Sequence, residues 1–324
     1  MLSMLKYLIV QLDDTSTSFC HYVNDRKTPK LIPLEILRRA IIWSMKENLM
    51  VQFIYPDYEL PEEYKKAIDE IDHVDIISSN NKDISLTKVA DIIIFNSIND
   101  TGGYKLNENK VYVIRGTFNE IISNKDIIPD ILPKATRLNL SITDIPALTP
   151  QIETEYAEFL DSLGEKVKEE YGKNHPVQIN ALTDRIMLDE MNNCNAGFEH
   201  ITLSPDGNFY ICPAFYLNDI QEGICGNLNE GVKIKNENLF KLTYAPICRE
   251  CDAYQCNRCI WLNQLQTLEV NTPGMQQCVT SHLERNASMK LLAKIRELGE
   301  FMPGKEIPEI DSLDPFVKVI KNKY

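Results

Sequence analysis

The chain has 324 residues, 44% of them hydrophobic and 25% charged, with a formal net charge of −13. That length suggests two domains with enough apolar residues to fill two cores. The acidic balance argues against sequence-independent nucleic-acid binding, which needs clustered lysine and arginine against phosphate, and no run of about 18 apolar residues offers a membrane span.

The opening "MLSMLKYLIV" is too short in apolar residues for a signal-peptide core and has no small-residue cleavage site behind it. A cytoplasmic protein is expected, in a compartment where disulfides rarely persist and thiols stay available for metal. The apolar runs "YLIVQL", "MVQFIYP", "VDIISS", "DIIIFNS", "VYVIRG" and "RLNLSIT" then alternate with helical stretches such as "PLEILRRAIIWSMKENL" and "PEEYKKAIDEI". Runs so uniformly apolar suit parallel strands covered by helices, so an α/β fold is expected: a partial or full (β/α) barrel, with an open doubly wound sheet as the alternative. Asp13 and Asp14 end the first strand, on the face where barrel sites form, although capping of a loop is the commoner reason for such acids. The spacing of Ile152, Tyr156, Phe159, Leu160, Leu163 and Val167 predicts a long helix over 149–171, and "YGKNHP" closes a first domain of residues 1–175.

The texture then changes. "HITLSPDGNFYICPAF" reads as a β-hairpin, with Gly207 supplying the positive φ of the turn and Cys212 on the outgoing strand. Residues 176–290 are otherwise loop-rich, so bound metal would be part of their folding free energy. "QQCVTSHLERNASMKLLAKIREL" begins a helix expected to end near Gly299 and Pro303, and residues 291–324 form the C-terminal helix and tail.

Cysteine is distributed unevenly. Cys20 stands alone in the first domain, and Cys194, Cys212, Cys225, Cys248, Cys251, Cys256, Cys259 and Cys278 follow in the second. In "CRECDAYQCNRC" two CxxC pairs are separated by only four residues, whereas the two knuckles of a zinc ribbon are separated by roughly 15 to 20. A thioredoxin-like redox site needs one such pair and not two in tandem. Iron–sulfur clusters tolerate tighter spacing, and eight cysteines divide into two four-thiolate sites. Structural zinc remains the alternative. Trp261 and Leu262 would cover a cluster, a substrate-stacking role being the weaker alternative. For His282, Glu284 and Arg285, a solvated helix face is the commoner reading and contact with a cluster the other.

The series Cys194, Gly207, Cys212, then Cys248, Cys251, Cys256 and Cys259, then Cys278, with "PDGNFYIC", "GNLNEG" and "PGMQQC" between, resembles the SPASM domain of radical-SAM peptide maturases. The middle is shorter here, C-x2-C-x4-C-x2-C against C-x2-C-x5-C-x3-C. The resemblance implies two [4Fe–4S] clusters. One would be held by Cys248, Cys251, Cys256 and Cys278, the other by Cys194, Cys212 and Cys259, with Cys225 either a fourth ligand or a buried free thiol. It implies for the first part a barrel of the radical-SAM type, and there the motif breaks down. The family carries C-x3-C-x-aromatic-C after the first strand; in "YLIVQLDDTSTSFCHYV" only Cys20 survives, and Ser16 and Val23 occupy the other two positions. The Gly-Gly-Glu segment after the second strand is replaced by "FIYPDYELP". SAM binding is therefore not expected, and a small buried residue is the commoner reading of Cys20, a leftover functional role the other. "DDTSTSFCHY", "KENLMVQFIYPDYELPEEY" and "WLNQLQTLEVNTPGMQQCVTSHLERNAS" narrow the resemblance to the CXXX repeat peptide maturases.

What this implies is an accessory protein in the maturation of a ribosomally made, cysteine-repeat peptide. Its partners would be the precursor peptide or an intact radical-SAM maturase, with no nucleic acid and no membrane. With no leader-binding domain ahead of residue 1, capture is expected to use the barrel or SPASM surface. Two other readings stand beside it: an enzyme that uses an auxiliary cluster for substrate binding or sulfur chemistry, and a structural zinc protein.

Overall fold

The computed structural model describes residues 5–310 and 313–315; residues 311–312 and 316–324 of the expected tail lie outside the described residues. The strands are Tyr7–Gln11 (β1), Met50–Ile54 (β2), His73–Ser78 (β3), Ile92–Phe95 (β4), Val111–Gly116 (β5), Arg137–Ile142 (β6), His200–Leu203 (β7), Asn208–Tyr210 (β8), Ile224–Asn227 (β9) and Gly231–Val232 (β10). The α-helices are Leu34–Lys46 (α1), Glu62–Ile68 (α2), Ile84–Val89 (α3), Phe118–Ser123 (α4), Ile127–Ile131 (α5), Pro150–Gly172 (α6), Asn180–Met187 (α7), Pro213–Leu217 (α8), Ile260–Thr267 (α9) and Met275–Arg296 (α10). Each of the six apolar runs of the first part forms a strand. No helix among the described residues is long and apolar enough to cross a membrane.

The described residues pack as two compact units, one within residues 1–96 and 195–245 and the other within residues 97–194 and 246–324. In the first unit the strand order is β10-β9-β8-β7-β1-β2-β3-β4. Strands β7, β1, β2, β3 and β4 are parallel, with Val10 of β1 in register with Phe53 on one side and Leu203 on the other. Leu8, Val10, Phe53, Ile77, Ile93 and Leu203 are fully buried, as expected of parallel strands covered by helices. The β7–β8 hairpin turns at Gly207, whose φ of 83° is a left-handed conformation that glycine adopts without penalty. Strand β8 ends at Tyr210, so Cys212 lies past the strand that was expected to carry it, at the start of α8, where Pro213 opens the helix. Helix α1 buries Leu37, Ala40, Ile41 and Ser44, and its Trp43 ring lies 4.9 Å from that of Phe209.

The second unit is built on the parallel pair β5–β6 and the helices α4, α5, α6, α7, α9 and α10. Thr149 caps α6 by accepting the Ile152 N–H, and Tyr156, Phe159, Leu160, Leu163 and Val167 are buried along its expected apolar face. Helix α10 lies against it, burying Ala287, Leu291, Leu292 and Ile295. The ion pairs Asp161–Lys290, Glu165–Lys294 and Lys168–Glu297 advance in step along the two helices. The helices therefore run in the same direction.

Candidate metal centre

The cysteine-rich loop of the second unit is short and irregular, and backbone hydrogen bonds fix it. Cys248 opens a single 3-10 turn that the Cys251 N–H closes onto the Cys248 carbonyl at 3.1 Å, and the Cys256 N–H bonds the Ala253 carbonyl at 3.0 Å. Cys259 then precedes α9, and Cys278 lies in the first turn of α10. The segment leading to Cys194 is tied to this loop by the Asn192 N–H on Tyr254 and the Cys194 N–H on Asn257, each at 2.7 Å.

Cys248, Cys251, Cys256 and Cys278 line one cavity of about 320 Å³, together with Gln277, Ser281 and His282. Burial is the first cause of their elevated thiols, pushing Cys248 up to about 12 and Cys251 up to about 11. The four are also close enough that, after burial, the charges of Cys256, Cys248 and Cys251 each raise the Cys278 thiol further. Against that, hydrogen bonds and positive charge favour the thiolates. The Ala253 N–H lies 3.5 Å from the Cys251 sulfur and the Arg258 N–H 3.3 Å from the Cys256 sulfur. His282 Nε2 is 3.4 Å from the Cys251 sulfur, and its Nδ1 contacts the Leu313 carbonyl. Thiolates with N–H donors around a shared space are a donor set of the kind that holds an iron–sulfur cluster. Among the described residues, no three His, Cys, Asp or Glu side chains converge to hold a single ion.

His282 and Arg285 correct the expectation of a solvated helix face, since they are 7% and 0% exposed. The face of α10 that carries them turns toward the cysteine loop, and Gln277, Thr280, Ser281 and Ser288 are buried with them. Arg285 grips Asp252, from the middle of the loop, with Nε at 2.8 Å and a terminal nitrogen at 2.7 Å. Arg185 of α7 approaches the same carboxylate at 3.4 Å and lies 4.3 Å over the Tyr254 ring. Burial raises the Asp252 pKa, and the two guanidinium groups more than offset it, so the carboxyl ends below its ordinary value. Sequence reasoning missed Asp252, Arg185 and Arg258. Asp252 and Arg258, as charged residues between closely spaced cysteines, read as surface, and Arg185 lies far from the loop in sequence; only the spacing of Asp252 within the loop could have hinted otherwise.

The remaining cysteines are placed as follows. Burial raises the Cys259 thiol to about 12, and Cys194, in the same unit, adds to the rise through its charge. Cys212 and Cys225 belong to the first unit. Cys225 sits in β9 with 2% exposure, and burial pushes its thiol up to about 12. Trp261 and Leu262 are buried in α9.

The loop after β1 is a densely hydrogen-bonded turn. Ser16, 1% exposed, donates its hydroxyl to the Ile54 carbonyl at 2.9 Å and accepts the Asp13 N–H at 3.0 Å. Val23 is 48% exposed, and Cys20 is half-buried, more open than the small core residue expected. Asp13 caps this turn by accepting the Thr15 N–H at 2.8 Å, and Tyr58 of "YPDYELP" donates to its other oxygen at 2.9 Å. Asp14 accepts from Arg26 and from the Tyr216 hydroxyl.

No family model matches the chain, and no curated protein matches it. Solved structures do. Histidine-tagged anSMEcpe with bound AdoMet superposes with a TM-score of 0.59 at 11% identity, covering 90% of this chain and 98% of that one. Native anSMEcpe with bound AdoMet and Cp18Cys peptide gives 0.58 at 12% identity, covering 90% and 99%. At such identity the likeness is one of fold alone: an α/β chain with a large parallel sheet and a helical C-terminal part.

Proposed function

We propose that this chain is an accessory protein of peptide maturation that carries two [4Fe–4S] clusters, binds a ribosomal precursor peptide or an intact radical-SAM maturase, and does not cleave AdoMet by itself. The observation that carries the reading is the set of four thiols around one cavity, in a fold shared with a protein whose structure holds AdoMet and a peptide. A single tetrahedral zinc needs its sulfurs all about 2.3 Å from one centre, whereas a four-iron cluster spreads its ligands around a larger core. Thiols that surround a cavity favour the cluster. The remaining cysteines are given to a second cluster on the strength of the sequence resemblance. The lack of independent AdoMet chemistry is supported by the β1 loop, where Cys20 is the one thiol and the Ser16 hydroxyl is committed to backbone groups.

Anaerobic reconstitution followed by iron and sulfide analysis tests the metal part. About eight irons and eight sulfides per chain are expected, and Cys251→Ala should retain about four of each. Stoichiometric zinc with little iron would overturn it. Affinity capture from the native host should recover a cysteine-repeat precursor or a radical-SAM maturase; recovery of neither argues for another role.

A further inference from the structure

Three arginines are buried around the cysteine loop, and their charges are met in different ways. Arg185 and Arg285 share the carboxylate of Asp252. Arg258, 1% exposed and among the largest fully buried side chains, stands between Cys256 and Cys259. Its φ of 44° is left-handed, a conformation that costs a residue with a Cβ of order 1 kcal/mol. That backbone turn aims the Arg258 N–H at the Cys256 sulfur at 3.3 Å. Its Nε donates to Asn193 Oδ1 at 2.7 Å, which draws the guanidinium to the segment ending in Cys194. Burial, the larger influence, holds the guanidinium below its ordinary pKa, while the charges of Cys248, Cys194 and Cys256 act the other way. A buried charge needs a counter-charge nearby. Here sulfur supplies one.

We infer that Arg258, buried between Cys256 and Cys259 and tied by its side chain to Asn193 beside Cys194, is a positioning residue whose fixed positive charge raises the reduction potential of the clusters those neighbouring thiols hold. The inference rests on the cluster reading above. Adding an electron to a thiolate-bound cluster increases its negative charge, and a cation within the same poorly solvated interior stabilises the reduced state more than the oxidised one. The N–H bond to sulfur acts in the same direction. Because the residue lies between Cys256, given to one cluster, and Cys259, given to the other, loss of its charge should move both potentials together.

The test is a dye-mediated redox titration of the reconstituted full chain, followed by visible and EPR spectra, with iron counted on each preparation. In Arg258→Met with iron retained, both midpoint potentials should shift to more negative values, and Arg258→Lys should remain near the wild type. Unchanged potentials in Arg258→Met would overturn the inference. If Arg258→Met fails to hold iron, Arg258→Gln decides, because it keeps a hydrogen-bonding group for Asn193 without the charge. A negative shift in Arg258→Gln, or loss of iron in Arg258→Gln but not in Arg258→Lys, supports a role for charge. Unchanged potentials, or equal loss of iron in both, mean that packing alone is required and overturn it. A wild-type chain that never takes up iron instead refutes the parent reading, a result distinguishable from all of these.

Discussion

Glu284 shows how the setting of the cysteine loop reaches individual side chains. It lies on α10, accepts a hydrogen bond from the Tyr156 hydroxyl of α6 at 2.9 Å, and is raised by burial from 4.5 to about 7. Unfolded, the carboxyl ionises first as pH rises, so this residue costs no stability below pH 4.5. The cost grows between 4.5 and about 7 and is constant above that. The resulting penalty at pH 8 is on the order of 2–3 kcal/mol. Denaturant unfolding should therefore find Glu284→Gln more stable than the wild type at pH 8, with the gain much smaller at pH 5. A gain independent of pH would show that the carboxyl is not held neutral in the fold. None of this was legible in "SHLERN", because burial of a polar helix face is set by what packs against it. The cysteines were legible as a group because ligand spacing is local in sequence. The arginines were not, because nothing in their neighbours distinguishes a buried guanidinium from a solvated one.

At the scale of elements, the readable parts were those with strong periodicity. The apolar strands and the face of α6 follow from hydrophobic pattern alone. Helix α10 was readable as a helix but its buried face was not, since Gln277, Ser281, His282, Arg285 and Ser288 are buried along with its leucines. The glycines of "GNLNEG" gain a physical meaning only in the structure. Gly226 has a φ of 120°, and a Cβ there would lie 2.0 Å from the Gly231 carbonyl oxygen, whereas Gly231 has a φ of 74° with nothing within 4 Å. Both glycines thus serve backbone conformation, but only Gly226 is also closed off by the facing backbone of β10. Gly231→Ala should cost about 1 kcal/mol for the left-handed conformation. Gly226→Ala should cost about 3 kcal/mol or more, because the β9–β10 pairing must open as well. Thermal unfolding of the two variants side by side checks the contrast. Equal losses would mean that the hairpin relaxes at no cost, and that the close approach is not what fixes glycine at 226.

For the whole molecule, the sharpest expectation concerns what a chain with this fold can do alone. Reductive cleavage of AdoMet requires a cluster held by three thiolates that leave one iron open to the amino and carboxylate groups. The β1 loop offers Ser16, Cys20 and Val23 where the resembling family has cysteines. Valine has no donor atom. The serine hydroxyl would have to release both the Ile54 carbonyl and the Asp13 N–H, at 2.9 and 3.0 Å, and each broken buried hydrogen bond costs of order 1–3 kcal/mol. A serine oxygen is also a poorer iron ligand than thiolate, so the exchange has little to drive it. The glycine-rich receiver of the amino group is replaced by "YPDYELP", whose Tyr58 holds Asp13 at 2.9 Å and so braces the turn in its present form. Incubation of reconstituted protein with dithionite and AdoMet should therefore yield 5′-deoxyadenosine at background level, the same as Cys20→Ala, by chromatography. Activity that emerges only on adding an intact radical-SAM maturase, and rises with this chain's concentration, fits an accessory role. Sustained turnover by this chain alone, above the Cys20→Ala control, would require an AdoMet site other than the β1 loop and would overturn the accessory reading.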